Sequence, residues 1–584
     1  MKNGNGFVDA ALTDLYQLTM IYAYWLTGKH NDHAVFDLFF RKNPFGGEYT
    51  IFAGLEEVVR YIQNFGFTDR QIDFLQNGRL CTTEELQLTF INGLNAGYIR
   101  EKAGNYERRR YGPWGAELWE QIEWPDQDVF VEPPLKGCDP AFFEWLKTID
   151  TSKMKVYAVR EGNVVFPRLP LYRVAGPLAI GQMLETTMLN LTNFPSLVTT
   201  NAARMRYAAG VDMILLEFGL RRAQGPDGAI SASRYSFIGG FNGTSNVKAG
   251  MLFGLPIRGT QAHAFISSFT GLADLKKRTL IGPDGREHDF VELVLKFRNL
   301  LGFTSTNEGE LAAMIAYAQA FPEKFLALVD TYDTLKSGTP NYICVALALC
   351  EIGYKPVGIR LDSGDLAYLS KEARKMFVAA SKKTGFDISK SVIVASNDIN
   401  EQVLWSLREQ GHEINSMGIG TNLVTCEKQP ALGCVYKLVE INGRPRIKLS
   451  QDPGKMTIPG SKTPYRLFGA DGYALVDIMM QDGEPAPRTG ERILCRHPSD
   501  PTKRVYVTPS AVEPLHYLVF DSRRRFAEVP IEALRTYVQE QLKAIREDHR
   551  RPLNPAAYKV TVSEQLFAHQ GELWEKEAPI AELA

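Results

Sequence analysis

Residues 326–333 (LALVDTYD) are the first of four related segments that decide the fold, the others being VGIRLDSGD at 357–365, VIVASND at 392–398 and SMGIGT at 416–421. Each is an apolar run, typical of a buried strand, that ends in polar or small residues. Helix-like stretches such as 341–353 and 366–385 lie between them. Strands that alternate with helices indicate parallel βαβ units, and right-handed crossovers bring the C-terminal ends of the strands to one face. We therefore predict an α/β barrel.

The ends of these predicted strands carry the polar residues Asp330, Asp362, Asn397 and Thr421. In α/β barrels this face holds the catalytic residues, and loops after the last strands often bind phosphate. The Gly-Ile-Gly-Thr turn at 418–421 fits such a phosphate site, although a single Gly-x-Gly is a weak signal by itself. The chain has neither a Walker A loop nor a dinucleotide-binding fingerprint. These patterns predict an enzyme that acts on a phosphorylated small molecule.

The bulk composition is that of an ordinary globular protein. The 584 residues are 45% hydrophobic and 23% charged, and the formal net charge of −1 gives no indication of nucleic-acid or membrane binding. Seven cysteines without a Cys-x-x-Cys pair fit a reducing compartment. The N-terminus lacks an apolar signal core, and no apolar stretch approaches the roughly 20 residues of a membrane span. The expected location is therefore the cytosol.

A chain of this length predicts two or three domains. We expect an N-terminal α+β region over 1–154, the barrel over 155–434, and a mostly β region over 435–584 that packs back on the N-terminal part. Within the first region, residues near 91–137 lack a clean period and predict a long surface insertion. Residues 270–310 are polar and turn-rich, so we expect them to connect other elements.

The C-terminal region carries two hairpin signals. Asn442-Gly443 lies between two alternating segments, and the GADG sequence at 469–472 predicts a second turn. Farther along, residues 528–549 place their apolar side chains on one helical face. We expect two hairpins followed by a helix.

The LDSGD sequence at 361–365 admits two interpretations. Asp362 and Asp365 could form a carboxylate pair for acid–base chemistry, such as carbohydrate hydrolysis. Alternatively, Asp362 or Ser363 caps the following helix and an acid lies in its first turn. Arg360 lies one alternate position before Asp362, so it points to the same side of the strand and could bind an anion.

Three further residues have both a functional and a structural interpretation. Arg221 and Arg222 follow a predicted buried strand, where paired cations suit a dianion such as phosphate. The alternative is one solvated arginine and one structural salt bridge. His263 lies where the next strand should end. A lone histidine is more often structural, but it could be a nucleophile or an acid–base group.

Six motifs together closely resemble the nicotinate phosphoribosyltransferases: LTDLYQLTM (12–20), FFRKNPFGG (39–47), EFGLRRAQGPDG (217–228), GTQAHAF (259–265), VGIRLDSGD (357–365) and GIGTNLVTC (418–426). The resemblance implies the irregular α/β barrel of type II phosphoribosyltransferases. It implies ATP-coupled transfer of phosphoribosyl from phosphoribosyl diphosphate to nicotinate in NAD salvage, giving nicotinate mononucleotide and diphosphate. It also implies Mg²⁺ or Mn²⁺ held mainly by the diphosphate, ATP as co-substrate, and a homodimer with a shared active site.

The resemblance assigns roles to individual residues. Tyr16 of the partner subunit and Phe218 resemble the aromatic residues that stack on the two faces of the pyridine ring. Asp330 and Asp362 resemble the acids near the ribose and the metal-bound diphosphate, and His263 resembles the histidine that ATP phosphorylates. The remaining implied substrate-binding residues are Arg221, Ser245, Thr260, Arg360, Ser363, Asn397, Gly420 and Thr421, the last two for the 5-phosphate.

Substrate choice rests on the segment GFNGTSN at 240–246. Nicotinamide-using relatives carry an acid there, whereas this chain has Ser245 and Asn246, so no carboxylate repels the anionic nicotinate. Asn242 departs from the Asp expected in the nicotinate family. The alternatives are the same fold using nicotinamide or quinolinate, and a non-catalytic interaction protein that binds through the insertion.

Overall fold

A computed structural model describes residues 6–81, 129–450, 455–523 and 526–580. The predicted insertion near 91–137 lies mostly outside the described residues. Only its end, from 129, is described, and there Val129–Phe130 forms a short antiparallel pair with Arg79–Cys81.

The described strands are β1 (His33–Phe40), β2 (Thr50–Ile51), β3 (Arg79–Cys81), β4 (Val129–Phe130), β5 (Lys155–Ala158), β6 (Val164–Val165), β7 (Tyr172–Pro177), β8 (Ile214–Glu217), β9 (Gly243–Thr244), β10 (Thr279–Ile281), β11 (Glu287–Asp289), β12 (Leu326–Leu328), β13 (Gly358–Leu361), β14 (Val392–Ser396), β15 (Ser416–Ile419), β16 (Cys434–Ile441), β17 (Arg444–Pro445), β18 (Lys462–Phe468), β19 (Ala474–Gln481), β20 (Ile493–Arg496), β21 (Arg504–Val507), β22 (Ala511–Pro514), β23 (Tyr517–Phe520) and β24 (Val560–Val562).

The described α-helices are α1 (Leu15–Leu26), α2 (Leu55–Gln63), α3 (Asp69–Asn77), α4 (Pro140–Leu146), α5 (Leu178–Met183), α6 (Glu185–Ala209), α7 (Gly225–Ile238), α8 (Val247–Phe253), α9 (His263–Ser267), α10 (Phe290–Leu301), α11 (Glu308–Ala320), α12 (Thr339–Glu351), α13 (Leu366–Thr384), α14 (Glu401–Gln410), α15 (Thr421–Val424), α16 (Ile531–Lys543), α17 (Glu547–Arg550) and α18 (Glu564–Glu577). A π-helical turn, Thr334–Gly338, precedes α12. Among these described helices, none is long and apolar enough to cross a lipid bilayer.

The centre of the molecule is an open barrel of parallel strands in the order β12-β13-β14-β15-β8-β9. A single parallel bridge from Thr244 to Ile257 extends this sheet past β9. The strands are short apolar runs because helices cover them, and α12 is itself buried from Thr339 to Leu349. The predicted α/β barrel, of the irregular type II phosphoribosyltransferase kind, is confirmed.

Two further six-stranded sheets accompany the barrel; the first is antiparallel throughout, and the second is mixed because β19 pairs with β24 in parallel. The first has the order β17-β16-β1-β7-β5-β23, so β1 lies between β16, from the last third of the chain, and β7, from the first third. The second has the order β21-β20-β24-β19-β18-β22 and comes entirely from the C-terminal region. The division of the chain into three domains at the stated boundaries stays a prediction.

Both predicted hairpins are present, and their turns have the backbone that the sequence demands. Asn442 and Gly443 have φ angles of 49° and 71°, as a two-residue type I′ turn requires. The GADG turn joins β18 to β19, and Gly472 there has a φ of 79°. The helical face of the tail is also confirmed, since Leu534, Val538 and Leu542 of α16 are buried.

The expectation that residues 270–310 only connect other elements is wrong. A Pro-Asp-Gly turn joins β10 and β11 into a hairpin, and the Asp289 side chain then caps α10 by accepting the Glu292 N–H at 3.0 Å. Helix α10 buries Phe290, Val294 and Phe297 against the core. Its own sequence, FVELVLKFRNLL, is mostly apolar, and the polar, turn-rich residues that precede it obscured this signal.

Candidate active site

Asp330 follows β12 and is oriented by the end of the neighbouring strand. Its Oδ2 accepts hydrogen bonds from the Ser363 hydroxyl and, at 3.2 Å, from the Asp362 N–H. Its Oδ1 is buried and has no hydrogen-bond partner among the described residues. One carboxylate oxygen is therefore fixed by the protein, and the other is left for a further partner.

Asp362, at the end of β13, is the hub of the site. Its Oδ1 accepts a hydrogen bond from the Ser396 hydroxyl at the end of β14. Its Oδ2 lies 3.7 Å from Arg360 Nη2 and 3.7 Å from His263 Nε2. Residues from two adjacent strands, β13 and β14, and from the start of α9 thus meet around one carboxylate at the C-terminal ends of the strands.

Arg360 is the most buried cation of this group, and its side chain is 14% exposed. Its Nη1 donates to Thr260 Oγ1 at 3.0 Å. Burial lowers the pKa of its guanidinium, Asp362 and Asp330 raise it, and the positive charge of Arg221 lowers it again. The positive charge of Arg221 thus acts on the Arg360 guanidinium. Neither Arg221 nor Arg222 forms a salt bridge with a described residue, and both are exposed.

His263 begins α9 with a half-exposed ring that is held at one nitrogen. Nδ1 lies 3.1 Å from Thr331 Oγ1, and Nε2 faces Asp362. The pattern analysis missed Thr331. Its position directly after Asp330, at a strand end, was the available signal.

Phe218 follows β8, and its ring lies against Gly418 of β15. A Cβ atom placed on Gly418 would come within 2.2 Å of Phe218 Cδ2, so only glycine leaves room for the ring in this position. The Phe218 N–H donates to the Ile419 carbonyl at 2.8 Å. The aromatic side chain is therefore fixed at the barrel face by the two neighbouring strands.

Glu217, the residue before Phe218, is fully buried. It was not among the residues predicted from the sequence. Its carboxylate accepts hydrogen bonds from the Gly219 N–H and from the Ser233 and Thr244 hydroxyls. Its carbonyl accepts the Ser245 N–H at 2.9 Å. A buried carboxylate whose two oxygens both accept hydrogen bonds thus orients the segments that carry Phe218 and Ser245. The acid at the end of the apolar run MILLEFG was the available signal.

The asparagines of the 240–246 segment have structural roles. Asn246 caps α8 by accepting the Ala249 N–H at 3.1 Å, and its amide donates to Ser233 Oγ. Asn242 Oδ1 accepts from Arg206 and from the Leu215 N–H. Of the residues predicted to set substrate choice, only the partly exposed Ser245 keeps its side chain free of these contacts.

The predicted phosphate turn lies at the end of β15, beside the Phe218 segment, since a Cβ atom on Gly420 would lie 3.3 Å from the Phe218 carbonyl oxygen. Gly420 and Thr421 are partly exposed and open the short helix α15. At the end of the neighbouring strand β14, Asn397 and Asp398 are exposed and have φ angles of 102° and 44°. Two consecutive non-glycine residues in the left-handed region are strained, and such strain concentrates at functional sites.

The cap of helix α13 is Asp365, which accepts the Tyr368 N–H at 3.0 Å. The prediction that Asp362 or Ser363 caps the helix is therefore wrong, because both side chains are used at the strand end. The hypothesis of a catalytic Asp362–Asp365 pair loses its second acid for the same reason.

Tyr16 is not part of this cluster. It lies on α1 with 48% of its surface exposed, next to Glu185 and Thr186. Its predicted contact with a neighbouring subunit's substrate stays a prediction.

A divalent metal would find only a partial protein site here. No group of three or more His, Cys, Asp or Glu side chains among the described residues is arranged to hold a metal ion. The unpartnered Asp330 Oδ1 and the Asp362 carboxylate suit Mg²⁺, which binds one or two carboxylates together with substrate phosphates. The residues present therefore fit a metal that arrives with a diphosphate.

Sequence models of one protein family match most of the chain. The nicotinate phosphoribosyltransferase N-terminal domain matches residues 11–101 and 121–193, the nicotinate phosphoribosyltransferase family matches 345–481, and its C-terminal domain matches 461–570. Nicotinate phosphoribosyltransferase 1 of Arabidopsis thaliana is 50% identical, over 99% of this chain and 96% of the relative. The chain belongs to the nicotinate phosphoribosyltransferase family. The human nicotinate phosphoribosyltransferase is 41% identical over 97% of each chain.

Solved structures agree with this family assignment. The crystal structure of human nicotinic acid phosphoribosyltransferase superposes with a TM-score of 0.75 at 38% identity, and the match covers 96% of this chain and 99% of the human one. A nicotinate-nucleotide pyrophosphorylase from Pyrococcus furiosus matches with a TM-score of 0.56 at 18% identity, over 93% and 98% of the two chains. That second likeness reaches beyond the nicotinate phosphoribosyltransferase family and concerns the fold alone.

Proposed function

We propose that this protein transfers phosphoribosyl from phosphoribosyl diphosphate to nicotinate, giving nicotinate mononucleotide and diphosphate for NAD salvage. The observation that carries the proposal is the convergence of Asp330, Arg360, Asp362 and His263 at the C-terminal ends of neighbouring barrel strands. Membership of the nicotinate phosphoribosyltransferase family supports the choice of substrates.

The nicotinate subsite would lie beside the Phe218 ring, at the C-terminal end of β8. A ring stacked on Phe218 gains about 0.5–1.5 kcal/mol beyond burial. Because both Glu217 oxygens are buried and hydrogen-bonded, the acid next to Phe218 does not oppose the carboxylate of nicotinate. Arg221, Arg360 and Thr260 would supply the cationic and polar contacts, and Ser245 borders the ring.

The chemistry asks the protein to stabilise two opposite charges. As diphosphate leaves, the ribose carbon gains oxocarbenium character, so the fixed carboxylates of Asp330 and Asp362 favour the transition state. Arg360 and Arg221 attract the departing anion, while a bound Mg²⁺ or Mn²⁺ supplies further positive charge. The pyridine nitrogen is already nucleophilic, so no general base is required.

At the C-terminal ends of β13, β14 and β15, Ser363, Asn397, Gly420 and Thr421 would hold the ribose hydroxyls and the 5-phosphate. The first N–H groups of a helix have no partner inside it, and α15 begins at Thr421. This part of the site therefore offers the 5-phosphate N–H donors and hydroxyls rather than buried cations.

ATP coupling is proposed to act through His263. Thr331 holds Nδ1, which leaves Nε2 as the nitrogen that would accept a phosphoryl group from ATP. A phosphorylated imidazole adds negative charge and strong acceptors beside the diphosphate subsite. The exposed Tyr16 would complete the stack on nicotinate from a second copy of the chain in a homodimer.

The test is product formation from nicotinate and phosphoribosyl diphosphate with Mg²⁺, with and without ATP, beside parallel reactions with nicotinamide and quinolinate. We expect nicotinate mononucleotide, formed faster with ATP, and little product from the other two bases. Faster turnover of nicotinamide or quinolinate would reject the substrate assignment. Folded protein that gives no product from any base would reject the enzymatic assignment.

Replacing Gly418 by Ala should raise KM for nicotinate about twofold to tenfold, because the new Cβ displaces the Phe218 ring. Steady-state kinetics with each substrate varied in turn measures this effect, and KM for phosphoribosyl diphosphate should change less. Gly571→Ala is the matched control, since a Cβ atom there meets nothing within 4 Å. An unchanged nicotinate KM in Gly418→Ala would remove Phe218 from the nicotinate subsite.

A further inference from the structure

Glu310, in the first turn of α11, is a buried carboxylate outside the substrate-facing cluster. It is 0% exposed. Its Oε2 accepts hydrogen bonds from Ser337 Oγ at 2.6 Å and from Asn341 Nδ2 at 3.1 Å. Its Oε1 has no hydrogen-bond partner among the described residues. Because an isolated buried carboxylate is costly, a group of this kind needs a structural or functional reason.

The two partners of Glu310 belong to the segment that follows Asp330. Ser337 lies in the π-helical turn and Asn341 in the first turn of α12. The N–H groups of Ser337 and Gly338 donate to the Asp333 carbonyl at 3.0 and 2.9 Å. The carboxylate therefore connects α11, the turn and α12 to the peptide that ends at Asp333.

The same turn is pressed against the end of strand β12. A Cβ atom on Gly338 would lie 1.9 Å from the Val329 carbonyl oxygen, so the turn and the strand end cannot shift independently. Single turns of π-helix are frequent at functional sites. The peptide held between these two anchors, 330–333, carries Asp330 and Thr331.

We propose that Glu310 is a positioning residue that sets the Asp330–Thr331 turn through Ser337 and Asn341. It thereby aligns the carboxylate that meets the ribose and the hydroxyl that holds the His263 ring. The inference rests on the proposed function for its kinetic consequences. Burial, together with Asp330 and Asp333, raises the pKa of Glu310 to about 7, which agrees with a carboxylate held close to the active-site acids.

This arrangement predicts a selective effect on substrates. Asp330 and Thr331 lie beside the proposed ribose site and His263. The hydrogen bonds of Glu217, in contrast, orient the residues of the proposed nicotinate subsite. Glu310→Ala should therefore lower kcat/KM for phosphoribosyl diphosphate on the order of tenfold to a hundredfold, since misplacing a contact group by about 1 Å has effects of that size. ATP stimulation should fall with it, while KM for nicotinate should stay within about twofold.

Two variants separate positioning from loss of charge. Glu310→Gln keeps an oxygen that can accept from Ser337 and Asn341, so it should restore most of the lost kcat/KM. Glu308→Ala removes an exposed carboxylate from the same helical turn and controls for the helix dipole. Equal loss in Glu310→Ala and Glu308→Ala, or equal changes in both substrate KM values, would overturn the proposal.

Hydrogen–deuterium exchange of the unliganded full-length protein tests the same idea without any turnover. In Glu310→Ala, amides in 329–338 should exchange faster, while those of β8 and β15 should not change. Unchanged exchange in 329–338, in a variant that is folded, would overturn the proposal even if the enzyme is active. Faster exchange with no activity in the unmodified protein would instead uphold the positioning role and reject the proposed reaction.

Discussion

Replacing Arg360 by Ala is expected to lower kcat/KM for phosphoribosyl diphosphate by about two to three orders of magnitude, the loss typical when a preorganised electrostatic group is removed. In the variant, the carboxylates of Asp362 and Asp330 lose the neighbouring positive charge of Arg360. Their negative charges then face the anionic substrate without compensation. The variant also leaves Thr260 without its donor. The measurement is steady-state formation of nicotinate mononucleotide with phosphoribosyl diphosphate varied.

Arg360→Lys separates the charge of this residue from its shape. Lysine keeps the cation but cannot contact Thr260 and an anion through a planar fork, so we expect it to recover only part of the activity. Arg286→Ala is a suitable control, because that side chain is 82% exposed in the β10–β11 turn. Activity within threefold of the unmodified protein in Arg360→Ala would remove Arg360 from the substrate site.

Replacing His263 by Ala is expected to abolish the stimulation by ATP while leaving slow ATP-independent synthesis. The ring is the only imidazole that contacts the cluster among the described residues, and its Nε2 faces Asp362 and the open barrel mouth. Transfer of label from γ-³²P-ATP to the protein should disappear with it. Both effects follow if this histidine carries the phosphoryl group.

Thr331→Val provides a graded companion to this experiment. It removes the hydroxyl that holds Nδ1 without removing the imidazole, so labelling should slow while the ATP-independent rate is kept. His412→Ala, in the loop after α14, controls for loss of a histidine elsewhere. Equal stimulation by ATP in His263→Ala and in the unmodified protein would contradict the phospho-histidine role.

The sequence predicted the barrel because its strands are continuous apolar runs with polar ends. The same pattern predicted that Asp330, Arg360 and Asp362 lie on one face, since parallel strands share one C-terminal edge. It could not choose the cap of α13. Asp362, Ser363 and Asp365 can all cap a helix, and the choice falls on Asp365 only because tertiary contacts occupy the other two.

The supporting residues were harder to predict for a different physical reason. Glu217, Glu310 and Thr331 act through partners that are 27 to 68 residues away along the chain, and acids and threonines are usually found on the surface. Only the packed barrel shows that they are buried or aimed inward. Helix α10 was missed because polar, turn-rich residues precede it, although its own sequence is mostly apolar.

Strand β1 has a consequence for how the chain is made. It is complete once residue 40 has emerged, but its neighbour β16 begins only at residue 434. At about 5–20 residues per second, the roughly 400 intervening residues keep a ribosome occupied for about 20–80 s. Throughout that time one side of β1 presents unpaired N–H and C=O groups, which can recruit a foreign strand. Premature termination before residue 434 would therefore remove the C-terminal region and also leave an aggregation-prone N-terminal fragment.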